Sequence, residues 1–307
     1  MDLYHIPHDN GSPHRQIQFL NLLKEEYIDG ASDYCLLIPF AKEFNLSDDD
    51  RIYLAMLYGL CYSQTTVMRT FLEFPKLHDI KKEDIEQWWF THKNSLYFNP
   101  DKRRIKSTNQ FTPSILLLKQ MFGENIEKNI IKYIGKNYDF ETFYNFILKK
   151  WKNYGPMGAY LFFDAIYGLI PRLYKEPKTL DWKQRGATVT EGMAHYCYLD
   201  EQIKTKKYNY PLFDKQVQLI HLKTKTPLIQ IESTLCAYRK FFKGTRYPGY
   251  YADRMLEECI HYQKYLPNVN LMRYRALTIP DKYRSELNGG KGVQKNKLKL
   301  FKERGIL

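Results

Sequence analysis

The sequence predicts an all-α fold. Apolar residues recur three or four positions apart along most of the chain, which is the spacing of one helix face. Capping residues followed by acids or by proline recur in front of these segments, as they do where helices begin. Alternating β-branched runs between tight turns are almost absent, and the stretch Thr188-Val189-Thr190 is too short to form a sheet.

The first helices follow from these signals in chain order. Four apolar residues share one face of a first helix: Ile17, Leu20, Leu23 and Tyr27. Ser47 precedes three aspartates, Asp48 to Asp50, and acids in a first turn are favoured by the helix dipole. We therefore expect a capped helix that runs from there to about Tyr62.

Later segments carry the same signals. A helix is expected from Lys82 to Lys93, where two acids occupy the first turn. Thr112-Pro113 is typical of a cap followed by proline at the first helical position. Asp139 is expected to cap a helix that ends near Trp151. Further helices are predicted at about 159–169, 212–224, 228–242 and 249–265.

The predicted domain organisation is one compact unit over residues 1–285 followed by a basic tail. Within that unit, the polar connector 99–110 separates an N-terminal helical part, 1–110, from a site-bearing part, 111–285. Residues 286–307 are predicted to be flexible because many lysines follow two glycines. This tail either contacts phosphates or keeps the chain soluble.

The charge of the chain indicates a polyanionic partner. The net charge is +13 at pH 7, and displacing counterions from a phosphate backbone favours binding by such a protein. Aromatic residues make up 16% of the chain, with 26 tyrosines, and tyrosine stacks well on bases. The alternative is a lysine-rich and tyrosine-rich codon bias that produces a basic surface without a partner.

Other sequence features favour a cytoplasmic protein. No window approaches 18 uninterrupted apolar residues, so no membrane partner is expected. The first residues lack the basic-then-apolar layout of a secretory signal. The five cysteines are scattered without a CxxC pair, which is typical of reduced thiols.

The segment Lys149–Asp164 has the pattern of a helix–hairpin–helix. A basic helix end leads into a Gly155-x-x-Gly158 turn and then into an apolar helix. The two glycines can adopt positive φ and bring the backbone close to a partner, and the N–H groups that open the second helix suit a phosphate. The alternative is an ordinary turn between two core helices. Asp164 lies among apolar residues, so it must be hydrogen-bonded, paired or shifted in pKa, whether it belongs to a site or to the core.

The stretch Thr179–Gly192 combines acids, cations, an indole and glycines in a segment predicted to be a loop. Lys183 and Arg185 are suited to hold a diphosphate. Asp181 or Glu191 is suited to take a proton from an attacking amine. The alternative is a solvated connector in which the glutamate caps the next helix.

A third segment, Ser233–Ala252, alternates cations with rings and contains no acid. This composition is typical of a site that grips phosphate and stacks a base, although a solvated helix face over buried aromatics has the same pattern. Glu232, just upstream, is a further acid. The cations are Arg239, Lys240, Lys243 and Arg246, and the aromatics are Tyr238, Phe241, Phe242, Tyr247, Tyr250 and Tyr251.

Several classes of site are not supported. The histidines lack the spacing of a metal site, so no metal is expected, and His195 is interpreted as structural. There is no Walker loop and no strand-borne GxGxxG, which argues against kinases and dinucleotide-binding enzymes. Ser233 and Cys236 lack an identifiable base, so neither is predicted to act as a covalent nucleophile.

Three segments together resemble the amino acid:DNA transferases, also called alpha-glutamyl/putrescinyl thymine pyrophosphorylases. They are Tyr154–Asp164, Asp181–Gly192 and Glu232–Tyr251, and the resemblance covers roughly residues 32–266. This family is similar in fold to the helix–hairpin–helix DNA glycosylases, so the resemblance implies a glycosylase-like helical fold. The hairpin departs from the usual Gly-x-Gly pattern, and a glycosylase-type aspartate would fall near Asp181.

The resemblance also implies a reaction. Enzymes of this kind in phages displace pyrophosphate from 5-pyrophosphoryloxymethyl-deoxyuridine in DNA with an amine or amino acid. The implied partners are double-stranded DNA carrying a modified thymine and an amine or amino acid donor, without a cofactor, in the infected host cell. Such an enzyme must flip the base, neutralise the leaving group with cations and deprotonate the amine.

The resemblance assigns roles to the residues of these segments. One of the acids Asp181, Glu191 or Asp164 would bind the amine and take its proton, and Trp182 and Tyr247 would stack on the base. The groups assigned to the pyrophosphate or the DNA backbone are Lys183, Arg185, Arg239, Lys240, Lys243, Arg246, Gly155 and Gly158. Two other functions stay open: a base-excision glycosylase of the same fold and a non-catalytic nucleic-acid-binding module.

Overall fold

The structure is a computed structural model that describes residues 14–24, 35–97, 108–182, 187–242 and 250–279. These residues form fifteen α-helices joined by turns and short 3₁₀ segments, and they contain no strand, so the all-α prediction is confirmed for them. None of these helices has the length and apolarity that a bilayer crossing requires. In chain order the helices are α1 (His14–Leu23), α2 (Leu37–Glu43), α3 (Asp48–Cys61), α4 (Gln64–Glu73), α5 (Lys82–His92), α6 (Thr108–Phe122), α7 (Ile126–Ile134), α8 (Phe140–Lys150), α9 (Pro156–Leu169), α10 (Ala187–Tyr196), α11 (Asp200–Thr205), α12 (Tyr210–Thr224), α13 (Leu228–Phe242), α14 (Tyr250–Tyr262) and α15 (Leu271–Thr278).

Two predicted N-caps are confirmed by their hydrogen bonds. At the start of α3, the Ser47 hydroxyl accepts from the backbone N–H of Asp50 at 3.2 Å, and the Asp50 carboxylate accepts from the backbone N–H of Ser47 at 3.3 Å. This reciprocal pair satisfies two donors that a helix terminus leaves open. At the start of α8, the Asp139 carboxylate accepts from the backbone N–H of Thr142 at 2.9 Å.

The start of α6 was predicted wrongly. The helix begins at Thr108, so Pro113 lies inside it and Thr112 is not its N-cap. A proline at this position removes one backbone hydrogen bond from the helix. Burial compensates for the loss, because Phe111 is fully buried and its ring centroid lies 5.1 Å from that of Trp89.

The described residues divide into two compact units. Unit 1 contains the described residues of Met1–Asp33, Thr179–Ile260 and Thr278–Leu307, and unit 2 contains those of Tyr34–Lys178 and His261–Leu277. This division differs from the predicted boundary between residues 110 and 111, which falls inside α6 of unit 2. Because Phe111 packs on α5, the helices on both sides of that boundary share one core. The predicted tail 286–307 lies outside the described residues.

Unit 2 is organised around the contact of α3 with α9. A Cβ at Gly59 in α3 would lie 2.7 Å from the carbonyl oxygen of Gly158 in α9, so only glycine permits this backbone approach. Tyr154 precedes α9, and its hydroxyl donates to the backbone carbonyl of Met56 in α3. The hairpin between α8 and α9 is thus fixed on a buried helix.

Unit 1 is organised around α10 and α13, with α1 and α12 packed beside them. Phe19 of α1 is fully buried and makes edge contacts with Tyr196 of α10 and Tyr238 of α13, at centroid distances of 5.2 and 5.4 Å. The buried faces of α12 and α13 contribute Phe213 and Leu235 to the same core. Aromatic and branched side chains therefore fix the positions of the two central helices.

We expect Gly59→Ala to lower the free energy of unfolding by about 2 kcal/mol, because the added methyl group collides with backbone rather than with a movable side chain. The matched control is Gly155→Ala, where the new Cβ would meet nothing within 4 Å. That substitution should change stability by less than about 0.5 kcal/mol. Urea unfolding of both variants measures the difference, and equal stability would contradict the close helix contact.

Candidate functional site

A buried carboxylate between α10 and α13 is the main polar feature of unit 1. The Glu191 side chain is 4% exposed. One carboxylate oxygen accepts from Lys206 Nζ at 2.5 Å, and the other accepts from Arg239 Nε. We call these three residues the Glu191 cluster. A buried carboxylate is tolerated because two cations and their hydrogen bonds replace the lost water.

A close helix contact places this cluster. A Cβ at Gly192 would lie 2.1 Å from the carbonyl oxygen of Leu235, so the backbone of α10 can approach α13 only at a glycine. Glu191 is the neighbouring residue, and Arg239 lies one turn beyond Leu235 on α13. Lys206 is the C-cap residue that follows α11, and it adopts the left-handed conformation with φ of 57°.

A second layer of polar contacts follows one turn further along α10. The His195 ring stacks on Phe242 with centroids 4.2 Å apart and planes 2° apart. Its Nδ1 atom is buried and lies 3.7 Å from an Asp200 carboxylate oxygen. That carboxylate also accepts two hydrogen bonds from Arg15, at 3.0 and 3.1 Å. We call these four residues the His195 layer.

Arg15 connects the N-terminal helix to this layer. Its backbone N–H donates to the Tyr198 hydroxyl at 3.2 Å, and its carbonyl accepts from the Tyr238 hydroxyl at 2.6 Å. Its guanidinium carbon lies 5.1 Å from the Tyr198 ring centroid and 5.4 Å from that of Phe242. Cation–π contacts of this kind hold a partly desolvated arginine in place.

The surroundings set the protonation of both layers. Burial raises the pKa of the Glu191 carboxyl, but the hydrogen bonds and charges of Lys206 and Arg239 outweigh it and hold the pKa below its usual value. Burial lowers the pKa of His195 to about 4 despite the opposing charge of Asp200. At neutral pH the site therefore holds an ionised carboxylate beside an uncharged imidazole.

The cysteine in this region does not supply a nucleophile. Burial raises the pKa of the Cys197 thiol to about 12, so it is protonated at neutral pH. None of the five cysteines forms a disulfide. Within the described ranges, no group of three or more histidine, cysteine, aspartate or glutamate residues has the arrangement of a metal site.

The segment predicted to be a loop is partly helical. The first turns of α10 begin at Ala187, so Glu191 lies inside a helix rather than in a connector. The Thr190 hydroxyl donates to the Trp182 carbonyl at 3.2 Å and places the segment 179–182 beside α10. Asp181 is half-buried in that segment. The buried side chains of Val189 and Thr190 explain why these residues join the helix.

The base-stacking role predicted for Trp182 does not fit its position. The side chain is buried at 5% exposure, and its indole N–H donates to Asp214 at 2.7 Å. Its ring makes an edge contact with Phe213 at a centroid distance of 5.4 Å. Trp182 is therefore a core residue that holds its segment on α12.

The other predicted residues of unit 1 fall into two groups. Lys240 is half-buried on α13, next to Arg239. Glu232 is buried near the start of the same helix. Five predicted residues lie outside the described residues: Lys183, Arg185, Lys243, Arg246 and Tyr247.

Unit 2 contains the predicted hairpin, and neither of its two glycines uses the positive φ that glycine permits. Gly155 is extended, with φ of −108° and ψ of −172°, and Gly158 lies within α9. The left-handed residue is Asn153, with φ of 64°. Its amide donates to the carbonyl of Gln110 at 2.9 Å and to the hydroxyl of Ser114 at 2.8 Å, which fixes the turn on α6.

The outer side of the hairpin is basic and open. Lys149, Lys150 and Lys152 are exposed, and a Cβ at Gly155 would meet nothing within 4 Å. The first turn of α9 contains no acid. Its N-terminus therefore keeps the partial positive charge that favours an anion.

Asp164, the third predicted acid, belongs to unit 2. It is 4% exposed near the middle of α9. Because Glu191 and Asp181 belong to unit 1, the structure does not group the three predicted acids within one unit.

Sequence reasoning missed three residues of the site and interpreted a fourth, His195, as structural. Arg15, Asp200 and Lys206 are distant in sequence from the predicted segments, and nothing in their local pattern points to them. His195 had a usable signal, because it lies four residues after Glu191 and therefore on the same face of a helix. The prediction that the Glu191 segment was a loop concealed this spacing.

The pairing of Glu191 predicts a pH-dependent stability. We expect Glu191→Gln to lower the free energy of unfolding at pH 7 by about 2 kcal/mol, since Arg239 and Lys206 lose a buried counterion. The folded pKa is lowered, so this contribution is present above the unfolded value of about 4.3 and is lost as the pH falls through the folded pKa. The control is Glu201→Gln, which removes an exposed pair with Lys204 and should leave the pH profile unchanged.

The neutral imidazole predicts a second pH effect. The unfolded chain binds a proton at His195 below about pH 6.5, whereas the folded chain does so only near pH 4. Stability should therefore fall by roughly 2 kcal/mol as the pH drops from 6.5 to 4, after screening of the partly exposed ring. Urea unfolding of His195→Gln should lose this slope, while the exposed His261→Gln should keep it. The same slope in both variants would contradict the assignment.

Comparison with known proteins gives no match. No protein-family model, curated protein or solved structure matches this chain. The contacts and charges described above are therefore the basis for the functional proposal that follows.

Proposed function

We propose that this chain is a DNA-modifying transferase that displaces pyrophosphate from 5-pyrophosphoryloxymethyl-deoxyuridine with an amine or amino acid. The proposal joins the resemblance of three sequence segments to amino acid:DNA transferases with the contacts of unit 1. It also accounts for the net charge of +13, because phosphate groups occur both in the DNA and in the leaving group.

The observation that carries the proposal is the ion pair between Glu191 and Arg239. These residues come from two of the three segments on which the resemblance depends, and 47 residues lie between them in sequence. Their contact joins an acid and a cation from those segments in one place. If Glu191 belonged to a solvated connector and Arg239 to an unrelated helix face, nothing would require these two side chains to form an ion pair.

Arg239 is suited to hold the leaving group. The pair with Glu191 uses Nε, which leaves the two Nη groups outside this ion pair. The Arg239 side chain is 20% exposed, so an anion can reach it. A carboxylate that orients a guanidinium through Nε prepares the remaining fork for a bidentate contact with phosphate oxygens. This assigns Glu191 to positioning rather than to proton removal, because its lowered pKa makes it a weak base.

The transfer needs an acceptor for the amine proton. In the proposed step the amine nitrogen forms a bond to the methylene carbon of the base, and the bond from that carbon to the pyrophosphate oxygen breaks. Pyrophosphate leaves with the electron pair, and one proton leaves the nitrogen. The half-buried Asp181 of unit 1 is assigned to accept it, because a pKa of about 4 makes the His195 imidazole a weak base.

The basic hairpin of unit 2 supports a DNA substrate. Its exposed lysines and the open N-terminus of α9 present positive charge without a neighbouring acid in the first turn. A phosphate backbone binds such a helix terminus through backbone N–H groups. The helix–hairpin–helix glycosylase-like fold remains part of this proposal.

Mass spectrometry of nucleosides tests the reaction. The protein is mixed with DNA containing 5-pyrophosphoryloxymethyl-deoxyuridine and a pool of amino acids and amines, and the digested nucleosides are analysed. We expect an amine-substituted thymidine together with released pyrophosphate. Abasic sites instead of this product would indicate a glycosylase, and DNA binding without any product would indicate a binding module. Either outcome would overturn the transferase.

The same assay tests the role of Arg239. We expect Arg239→Ala to slow transfer about 100-fold, because a preorganised charge on the leaving group is lost. The matched control is Lys223→Ala, which removes an exposed cation from α12 of the same unit and should leave the rate unchanged. Circular dichroism confirms that both variants fold. Wild-type rates for Arg239→Ala would remove the proposed pyrophosphate contact.

A further inference from the structure

Lys206 is the second cation of the Glu191 cluster, and it comes from outside the segments on which the resemblance depends. It follows α11 as the C-cap residue, and its Nζ atom donates to one Glu191 carboxylate oxygen at 2.5 Å. Arg239 Nε of α13 donates to the other oxygen. A single carboxylate therefore holds two cationic groups a few ångströms apart, on elements that only the fold brings together.

Both cations keep donors that a ligand can reach. The side chains of Lys206 and Arg239 are 57% and 20% exposed, whereas the Glu191 side chain between them is 4% exposed. An ammonium group has three N–H donors and a guanidinium has five. Within the described part of the chain, the Arg239 guanidinium makes its one hydrogen bond through Nε, so its Nη groups remain available. An approaching anion therefore meets the two cations rather than the buried carboxylate.

The charge and the spacing of this pair suit a diphosphate. Glu191 neutralises one of the two positive charges, so the cluster keeps a net positive charge. The two phosphate groups of pyrophosphate share a bridging oxygen and therefore also lie close together. The planar fork of arginine can take two oxygens of one phosphate, while lysine acts as a point charge on the other. A single phosphate has less charge and fewer oxygens, so it gains less from the pair.

We infer that Lys206 and Arg239 form a two-cation site that binds both phosphate groups of the leaving pyrophosphate and favours it over a single phosphate. This inference deepens the proposed function and rests on it for the identity of the leaving group. Because both cations and the carboxylate belong to unit 1 and hold one another in place, a DNA strand is not needed to assemble the site. Pyrophosphate alone should therefore bind the protein and, as the reaction product, compete with the modified DNA.

Lys206 also has a consequence for the choice of substrate. As the bond from the methylene carbon to the pyrophosphate oxygen breaks, negative charge grows on the leaving group, and a second cation stabilises it. A base that carries a single phosphate offers one group to two cations. It should therefore be a poorer substrate than the pyrophosphorylated base.

Isothermal titration calorimetry of the full chain with inorganic pyrophosphate and inorganic phosphate tests the inference. We expect the wild type to bind pyrophosphate at least about tenfold more tightly than phosphate. Lys206→Gln keeps a hydrogen-bond donor for Glu191 but removes the charge. It should weaken binding of pyrophosphate about tenfold and change binding of phosphate by less than about threefold.

The matched control is Lys204→Gln, which removes an exposed cation of α11 that pairs with the exposed Glu201. This variant should bind both anions as the wild type does, which separates the site from the general positive charge of the chain. Phosphate binding by Lys206→Gln reports that the variant folds with Arg239 in place. If that variant does not fold, Lys206→Arg keeps a cation at this position and should retain the preference for pyrophosphate.

Four results would overturn the inference: equal affinity of the wild type for the two anions, wild-type binding of pyrophosphate by Lys206→Gln, an equal loss of both anions in that variant, or the same loss of pyrophosphate in Lys204→Gln. The transfer assay separates this inference from the proposed function. Amine product without selective binding of pyrophosphate would remove the two-cation site alone. Selective binding without amine product would leave the site and remove the transferase.

Discussion

The approach of α10 to α13 at Gly192 is the constraint on which the site in unit 1 depends. Any side chain at this position would overlap the backbone of Leu235. The short distance between the helices brings Glu191 against Arg239, and one turn later it brings His195 onto Phe242. A wider separation would break both contacts at once. Gly192 therefore contributes to the site only by setting the distance between α10 and α13.

The electrostatics of the site follow from this packing. Ionising a buried carboxylate is unfavourable unless cations and hydrogen bonds replace the water, and Glu191 obtains both from Arg239 and Lys206. A neutral imidazole beside it avoids a further buried charge, because burial lowers the pKa of His195 to about 4. The result is an oriented guanidinium in surroundings that hold no further buried charge, which suits the contact with pyrophosphate in the proposed reaction.

Unit 2 also depends on a close contact between two helices at a glycine, and there the contact positions the hairpin. Gly59 allows α3 to approach α9, and the hairpin in front of α9 is held by Asn153 and by the hydroxyl of Tyr154. Buried polar contacts thus fix a turn whose outer side carries exposed lysines. The hairpin therefore presents positive charge on a rigid element, as nucleic-acid contacts require.

The sequence by itself determined the helical class and several helix boundaries. The caps at Ser47 and Asp139 were predictable because a capping hydrogen bond spans only three residues. Such local signals failed at α6, where burial of Phe111 extended the helix through the residues before Pro113. They failed again at α10, where packing on α13 made the predicted loop around Glu191 helical.

Only the tertiary structure decided which polar groups meet. The sequence singled out Glu191 and Arg239 from local composition, but it gave no sign that Arg15, Asp200 and Lys206 complete their surroundings. It also suggested base stacking for a tryptophan that packing places in the core. The physical reason is range. Caps and helix faces depend on residues a few positions apart, whereas ion pairs, burial and pKa values depend on contacts between distant segments, which only folding creates.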